Sequence, residues 1–235
     1  MPSSPLRVFI GWDAREPVAF DVACFSLKRR ASIAVDIAPI KQDELRARHL
    51  YWRERDPLAS TEFTYSRFLT PLLAGFSGWA LYCDCDFLWL ADVADLTPYM
   101  TTAKAVLCVQ HDHRPAEGTK MDGAPQTVYP RKNWSSLMLF NCSHPAAKRL
   151  TPDAVNSATA AYLHRMQWTA DEDIGALPLE WNWLEGWNER PVSGTPKAVH
   201  FTRGGPWLEG WQNVTYADLW VAEREVMRLE GRRAS

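Results

Sequence analysis

The sequence predicts a single α/β domain, a sandwich of helices on a mostly parallel sheet. Three observations predict it. Runs of β-branched and aromatic residues alternate with helically spaced segments, the chain opens on a β-α-β unit, and no internal repeat or Pro/Gly-rich linker divides it. At 235 residues and 46% hydrophobic, the chain is long and apolar enough to bury one large core.

The elements follow in order. "RVFIG" (7–11) reads as a strand ending in glycine, and "EPVAFDVACFSLKRRA" as a helix with Val18, Val22, Phe25 and Leu27 at helical spacing and a basic last turn. "SIAVDIAPI" is the second strand of the opening unit, whose first loop is "GWDAREP". Residues 41–60 are charged and irregular, a surface excursion. "TEFTYSRFLTPLLAG" has helical spacing, with Pro71 expected to kink it or to start a second segment, because proline lacks a backbone donor. A strand over Trp79 to Cys83 comes next, then a helical turn at "ADVADL" and a strand in "AKAVLCVQ" (103–110). Residues 111–133 lack periodicity and carry Pro, Gly and charge; a loop of that length is expected to be functional. "WSSLMLFNCSHP" supplies a strand, residues 146–166 one or two helices broken near Pro152, and "TADEDIGALP" an acidic-started helical turn. "LEWNWLEGWNERPVSGTP" reads as loop or short strand, "KAVHFT" as a strand and "RGGPW" as a tight turn. "YADLWVAEREVMRLEGRR" closes the chain as an amphipathic helix, with Leu219, Ala222, Val226 and Leu229 expected on its apolar face.

A net charge of -2 with both signs interspersed excludes nucleic-acid or anionic-membrane binding through bulk charge, and points to a small or locally recognised ligand. No segment approaches the roughly 18 consecutive apolar residues of a membrane span, and "MPSSPLRVFIGWD" has only a short apolar run, so a cytoplasmic location is expected. Five scattered cysteines fit reduced, buried thiols better than a disulfide frame. Cys83 and Cys85 form a C-x-C zinc half-site in spacing alone, since no second Cys or His pair follows. The twelve tryptophans suit both a core and stacking on sugars or bases.

The chemistry is concentrated in "WALYCDCDFLWLAD" (79–92). Its apolar first half runs straight into Asp84 and Asp86, and unpaired buried carboxylates are costly. Residues two apart in a strand point the same way, so the pair projects from a strand's C-terminal end into the crevice where open α/β sheets bind ligands. Two carboxylates there suit a hard divalent cation, Mn2+ or Mg2+, completed by water and phosphate oxygens. Two solvated aspartates at a strand end are the plainer alternative.

The order of segments resembles the GT-A glycosyltransferases that use nucleotide sugars, and most closely glycosyltransferase family eight, the group of the glycogenins and bacterial lipopolysaccharide galactosyltransferases. "FTYSRFLTPLLAG" is similar to that group's Tyr-x-Arg helix and "LYCDCDFLWLADVADL" to its D-x-D segment; "WSSLMLFN", "DEDI" and "HFTRGGPW" are similar to its later motifs. The resemblance runs through most of the chain and implies a Rossmann-like α/β/α sandwich in one domain, residues 1–235. A nucleotide-binding part would cover about 1–110 and an acceptor-binding part about 111–235. It implies a hexosyl transfer from a nucleoside diphosphate sugar, a UDP-sugar first, to a glycan or other hydroxyl acceptor, with retention.

The resemblance also assigns roles. Asp84, Asp86 and His200 would hold Mn2+ (or Mg2+) against the diphosphate. Trp12 and Asp13 of the first loop would lie near base and ribose, and Tyr65, Arg67 and Cys85 by the same ligand. Arg203 and Gly204 would meet phosphate, Arg203 standing in for the lysine that "HFTRGGPW" lacks. Glu172 replaces the glutamine beside the anomeric carbon and would stabilise an oxocarbenium-like transition state or act as nucleophile; Asp171 and Asp173 would flank it, toward sugar hydroxyls. A helix first turn favours three acids by its dipole alone, so a capping role stays open. Ser135 and Ser136 stand where Asn and Gly are expected. Two further readings of the whole chain remain: a non-catalytic carbohydrate-binding protein with stacking tryptophans, and a metal-dependent phosphotransferase or phosphatase. "DCDFLWL" lacks the hydroxyl residue that haloacid dehalogenase phosphatases carry after the second aspartate.

Overall fold

The computed structural model describes residues 4–56, 59–101, 103–112, 118–119, 125–126, 131–189 and 194–234. Most of the 111–133 loop and residues 190–193 lie outside them, so that expected functional loop falls largely outside the described residues.

The chain opens as expected, with β1 (Leu6–Gly11), α1 (Pro17–Arg30) and β2 (Val35–Ile40), followed by a short α2 (Gln42–Ala47). Pro71 starts a segment rather than kinking one. A 3-10 turn, Ser66–Leu69, hands over to α3 (Thr70–Leu73), where proline in the first turn loses no hydrogen bond. β3 (Trp79–Cys83) and β4 (Phe87–Trp89) flank the two aspartates. Then come β5 (Val106–Val109), the two-residue strands β6 (Gly118–Thr119) and β7 (Pro125–Gln126), β8 (Leu137–Asn141), α4 (Pro152–Ser157) and α5 (Ala160–His164). β9 (Ile174–Leu177), β10 (Trp183–Leu184), β11 (Ala198–His200) and α6 (Ala217–Ala234) complete the order.

Six strands form the central sheet in the order β2-β1-β3-β8-β5-β9. β1 runs parallel to β2 and β3, and β5 parallel to β9, whereas β8 lies antiparallel between β3 and β5. Five of the six strands therefore run the same way and β8 alone is reversed, so the sheet is mostly parallel, as expected. β3 and β8 are covered on both faces: Ala80 to Cys83 and Leu137 to Phe140 have no exposed surface, which is why they read as unbroken apolar runs. The acidic helical turn expected at 169–178 forms as a 3-10 turn over Asp171–Asp173, but it stops there and β9 follows. "IGAL" has weak intrinsic strand preference, and pairing with β5 at the sheet edge decides its state.

A second sheet, β10-β11-β4, shapes the site. β4 leaves the central sheet directly after Asp86 and pairs antiparallel with β11, so that His200 stands opposite Phe87. Beneath it, Val22 of α1, Leu88, Val199, Phe201, Tyr216 and Trp220 of α6 form a separate apolar cluster.

α6 buries a different face from the one its apolar spacing predicts. Leu229 is 55% exposed and Ala222 is exposed, while Trp220 and Glu223 are buried. The reason is electrostatic. Glu223 accepts from Arg29 (3.1 and 3.2 Å) and Arg30 (2.8 and 2.9 Å) of α1, which turns that side of the helix inward. Burial alone would raise the Glu223 pKa, but the hydrogen bonds and charge of Arg30 and then Arg29 hold it below the usual carboxylate range. A carboxyl with a folded pKa below its unfolded one stabilises above the unfolded value and loses that contribution as pH falls through the folded one. Glu223→Gln is therefore expected to cost about 1–2 kcal/mol at neutral pH, discounted because both arginines are partly exposed. In thermal unfolding from pH 7 to pH 3, the gap to the parent protein closes on the acid side; a gap constant with pH would refute the linkage.

Candidate metal centre and donor cleft

Alternation along the strand and the break after β3 set the floor of the site. Asp84 is placed by its backbone N–H, which donates to the Ser136 carbonyl (2.9 Å), and Asp86 by its carbonyl, which accepts from Phe201 N (3.0 Å). One ligand atom each from Asp84, Asp86 and His200 lies within 4.8 Å of the others. His200 Nε2 is 3.3 Å from Asp86 Oδ1, and the ring stacks on Phe87 with centroids 4.6 Å apart. Asp84 and His200 are buried and Asp86 is partly open, so the group is closed on the protein side and faces a cleft of about 390 Å³. Two carboxylate oxygens and an imidazole nitrogen at this spacing fit a hard-to-borderline divalent cation that keeps open positions for other oxygens. Among the described residues, no cysteine joins this grouping. Burial pushes the Cys83 and Cys85 thiols well up, and all five cysteines are free, so the C-x-C spacing forms no half-site here.

Arg67 goes to Asp84. Its Nη1 lies 2.8 Å from Asp84 Oδ1 and donates to the Ser135 carbonyl (2.9 Å), while Nε donates to Phe63 O (3.2 Å). Tyr82 donates to the same Oδ1 (2.7 Å). Burial raises the Asp84 pKa; Arg67 opposes it, Asp86 adds to it, and His200 and the Tyr82 hydroxyl oppose it.

The remaining expected residues divide. Tyr65, Arg203 and Gly204 line the cleft with the metal triad. Tyr65 donates to Asp56 beneath the Arg53 guanidinium, which sits 3.8 Å from its ring centre. Arg203 is held between Trp187 and Trp211, 5.6 and 5.4 Å from their ring centres, with Nη2 4.0 Å from buried Glu185. Gly186 (φ 71°) makes room for it, because any side chain there would overlap the guanidinium.

Trp12, Asp13 and Cys85 do not line the cleft. Asp13 locks the first loop: it accepts from Arg15 (Nε 3.0 Å, Nη2 2.8 Å, backbone N 3.0 Å) and from Glu62 N (3.1 Å). Those bonds hold its pKa low against the raising effect of burial. Trp12 lies under Lys41 Nζ, 5.0 Å from the ring centre, and the buried Cys85 thiol lies 4.0 Å from Glu16, which does reach the cleft.

The acidic turn stands apart. Asp173 O accepts from Ala105 N at the start of β5, and Asn141 at the end of β8 joins the same corner through Ala105 O. Asn141 pairs with Trp79, whereas the residue preceding Asp84, Cys83, pairs with Leu137, so this corner is the sheet end opposite the aspartates. There Asp171 pairs with Arg131 (2.6 Å), Asp173 lies 3.9 Å from His144, and the Glu172 carbonyl accepts from Lys104. None of the three lines the cleft.

Several cleft residues escape sequence reasoning. Glu16, Asp56 and Lys132 sit in charged loops with no distinguishing pattern. His164 lies on a short helix; its Nδ1 pairs with Ser135 Oγ (2.9 Å), and burial, with Arg67 nearby, lowers its pKa to about 3, so it is a neutral ring. Asn182 did carry a signal: a polar residue between tryptophans in "EWNW" must find partners if buried.

No family model matches the chain. A protein of Arabidopsis thaliana, Protein CDI, is 53% identical over 232 residues, covering 97% of this chain and 90% of that protein. Among solved structures, the apo bifunctional glycosyltransferase WbbM superposes with a TM-score of 0.62 at 18% identity over 94% of this chain and 50% of that one. The apo form of the glycosyltransferase GlyE of Streptococcus pneumoniae TIGR4 gives 0.63 at 14% identity over 97% of this chain and 63% of that one. The galactosyltransferase LgtC, in complex with donor and acceptor sugar analogs, gives 0.57 at 11% identity over 94% and 96%. The chain thus spans half of WbbM, under two thirds of GlyE and nearly all of LgtC. At such identities the likeness establishes the fold, which is GT-A, a Rossmann-like single domain as the family-eight resemblance implies.

Proposed function

Because the chain belongs to the family of Protein CDI of Arabidopsis thaliana and has the GT-A fold, we propose that it is a metal-dependent glycosyltransferase. It transfers a hexose from a nucleoside diphosphate sugar, UDP-linked in the first instance, to a glycan or other hydroxyl acceptor. The observation that carries this reading is the convergence of Asp84, Asp86 and His200, from two different sheets, on the floor of one cleft. Bound there, Mn2+ or Mg2+ would supply Lewis-acid neutralisation of the leaving diphosphate.

The chain's own groups do the rest. Arg67 and Tyr82 orient Asp84, Arg203 offers a cation held by two indoles to phosphate oxygens, and the Gly204 backbone lets phosphate approach. Asp56, which also accepts from Tyr65, and Glu16 are further cleft carboxylates that would meet ribose or sugar hydroxyls. Residues up to about 110 bind the nucleotide, and those beyond shape the acceptor side. Retention of configuration is part of the proposal, with the acidic turn 171–173 outside the machinery. Five free thiols support a reducing, cytoplasmic setting.

The test is thermal unfolding with Mn2+ and a panel of UDP-, GDP- and ADP-sugars, with and without chelator. Stabilisation of about 3–4 kcal/mol at 100 to 1,000 times the dissociation constant is expected only when metal and the cognate nucleotide are both present. Stabilisation by free sugar without metal would instead identify a lectin, and steady release of phosphate from simple phosphomonoesters a phosphatase.

A further inference from the structure

Asn182 has no exposed surface, and its side chain touches neither cleft nor solvent. Its amide nevertheless sits in a network with only one self-consistent set of donors. One end faces Asn133 O (3.3 Å) and Ser136 Oγ (2.9 Å). A backbone carbonyl can only accept, and the Ser136 hydroxyl already donates to that same carbonyl (2.7 Å), so it too must accept from the amide. The end facing them is therefore the NH2 group, and the other end, 3.0 Å from His200 Nδ1, is the carbonyl oxygen. An acceptor at that position requires the proton on Nδ1.

We propose that Asn182 is the positioning residue of the metal centre, holding His200 in the Nδ1–H tautomer so that the Nε2 lone pair is presented beside Asp86. This rests on the metal-dependent reading of the cleft. The alternative tautomer would turn an N–H toward the cation and a lone pair toward the Asn182 carbonyl, losing a ligand and a buried hydrogen bond together. The same network reaches the other side of the centre, because the Ser136 carbonyl accepts from Asp84 N (2.9 Å). One buried amide thus links the strand of the aspartates with the strand of the imidazole, whose ring orientation Phe87 stacking alone would leave free to flip.

Two measurements test it on the full chain. In the parent protein labelled with 15N-histidine, without metal and at alkaline pH where imidazole is neutral, the His200 signal, assigned by its loss in His200→Gln, is expected to show Nδ1 protonated and Nε2 bare. An Nε2–H signal overturns the proposal regardless of any variant. In calorimetric titration with Mn2+ alone, Asn182→Leu, close in volume, is expected to weaken binding about 10- to 100-fold. Asn182→Asp, which restores an acceptor to Nδ1 while setting an oxygen against the Asn133 carbonyl, recovers most of that affinity without recovering the thermal stability. Affinity in Asn182→Leu equal to the parent's, or affinity that merely tracks stability across both variants, overturns the proposal. Absence of Mn2+ binding by the parent protein would bring down the metal reading itself, and the proposal with it.

Discussion

Asp86→Asn is expected to lower Mn2+-dependent hydrolysis of the cognate UDP-sugar by at least about 10²- to 10³-fold, while the protein unfolds within a few degrees of the parent. The activity term follows from charge: an amide keeps the shape of the carboxylate but removes half of the anionic charge that holds the cation against developing negative charge on the leaving phosphate. The stability term follows from position. Asp86 is only partly buried, and its backbone carbonyl, which anchors Phe201, is untouched by the exchange. Turnover and calorimetric Mn2+ affinity decide the matter together. Undiminished turnover in a folded variant would remove Asp86 from the metal centre.

Arg67→Met is expected to cost about 3–5 kcal/mol, because it strands a carboxylate inside the protein. Asp84 is 8% exposed, and among the described residues its cationic partner is Arg67, at 2.8 Å. Without the guanidinium the Ser135 carbonyl also loses its donor, while the Phe63 carbonyl keeps the backbone N–H of residue 67. For a domain of this length the loss corresponds to a melting temperature about 6–20 °C lower. Two controls identify the cause. Adding Asp84→Asn to Arg67→Met returns part of the stability, since the buried charge goes with its partner, and the two changes are non-additive because the groups touch. Saturating Mn2+ stabilises Arg67→Met more than the parent, since the cation replaces a missing positive charge. Strict additivity in the double variant would mean that Arg67 acts by packing between Phe63 and Tyr82 and not as the counter-ion.

Local chemistry was legible before the structure. β3 begins and ends where the sequence predicts, Trp79–Cys83, because a strand buried on both faces needs an unbroken apolar run, which few other environments demand. That Pro71 would interrupt the helical run was legible for the same kind of reason, proline's missing N–H, whereas the choice between a kink and the new start seen at Thr70 was not. Illegible were the features that depend on a distant partner. "IGAL" is a strand because β5 offers an edge, and α6 faces inward at Glu223 because two arginines of α1 wait there. The acidic turn misled for the complementary reason. Its motif placed it in order along the chain, but the parallel course of β5 and β9 carries it to the sheet end away from the aspartates.

By itself, the sequence determined that two carboxylates two residues apart leave a buried strand together, and that neither can stay there without positive charge. That much needs only the alternation of side chains along a strand and the cost of burying an anion. Tertiary structure alone decided which groups answer them. Arg67 reaches Asp84 across the start of α3, His200 reaches Asp86 only because β4 abandons the central sheet for β11, and Asn182 reaches His200 from beside Ser136. Strand order and direction are set by contacts between residues far apart in the chain, which no local pattern of apolar and polar residues encodes.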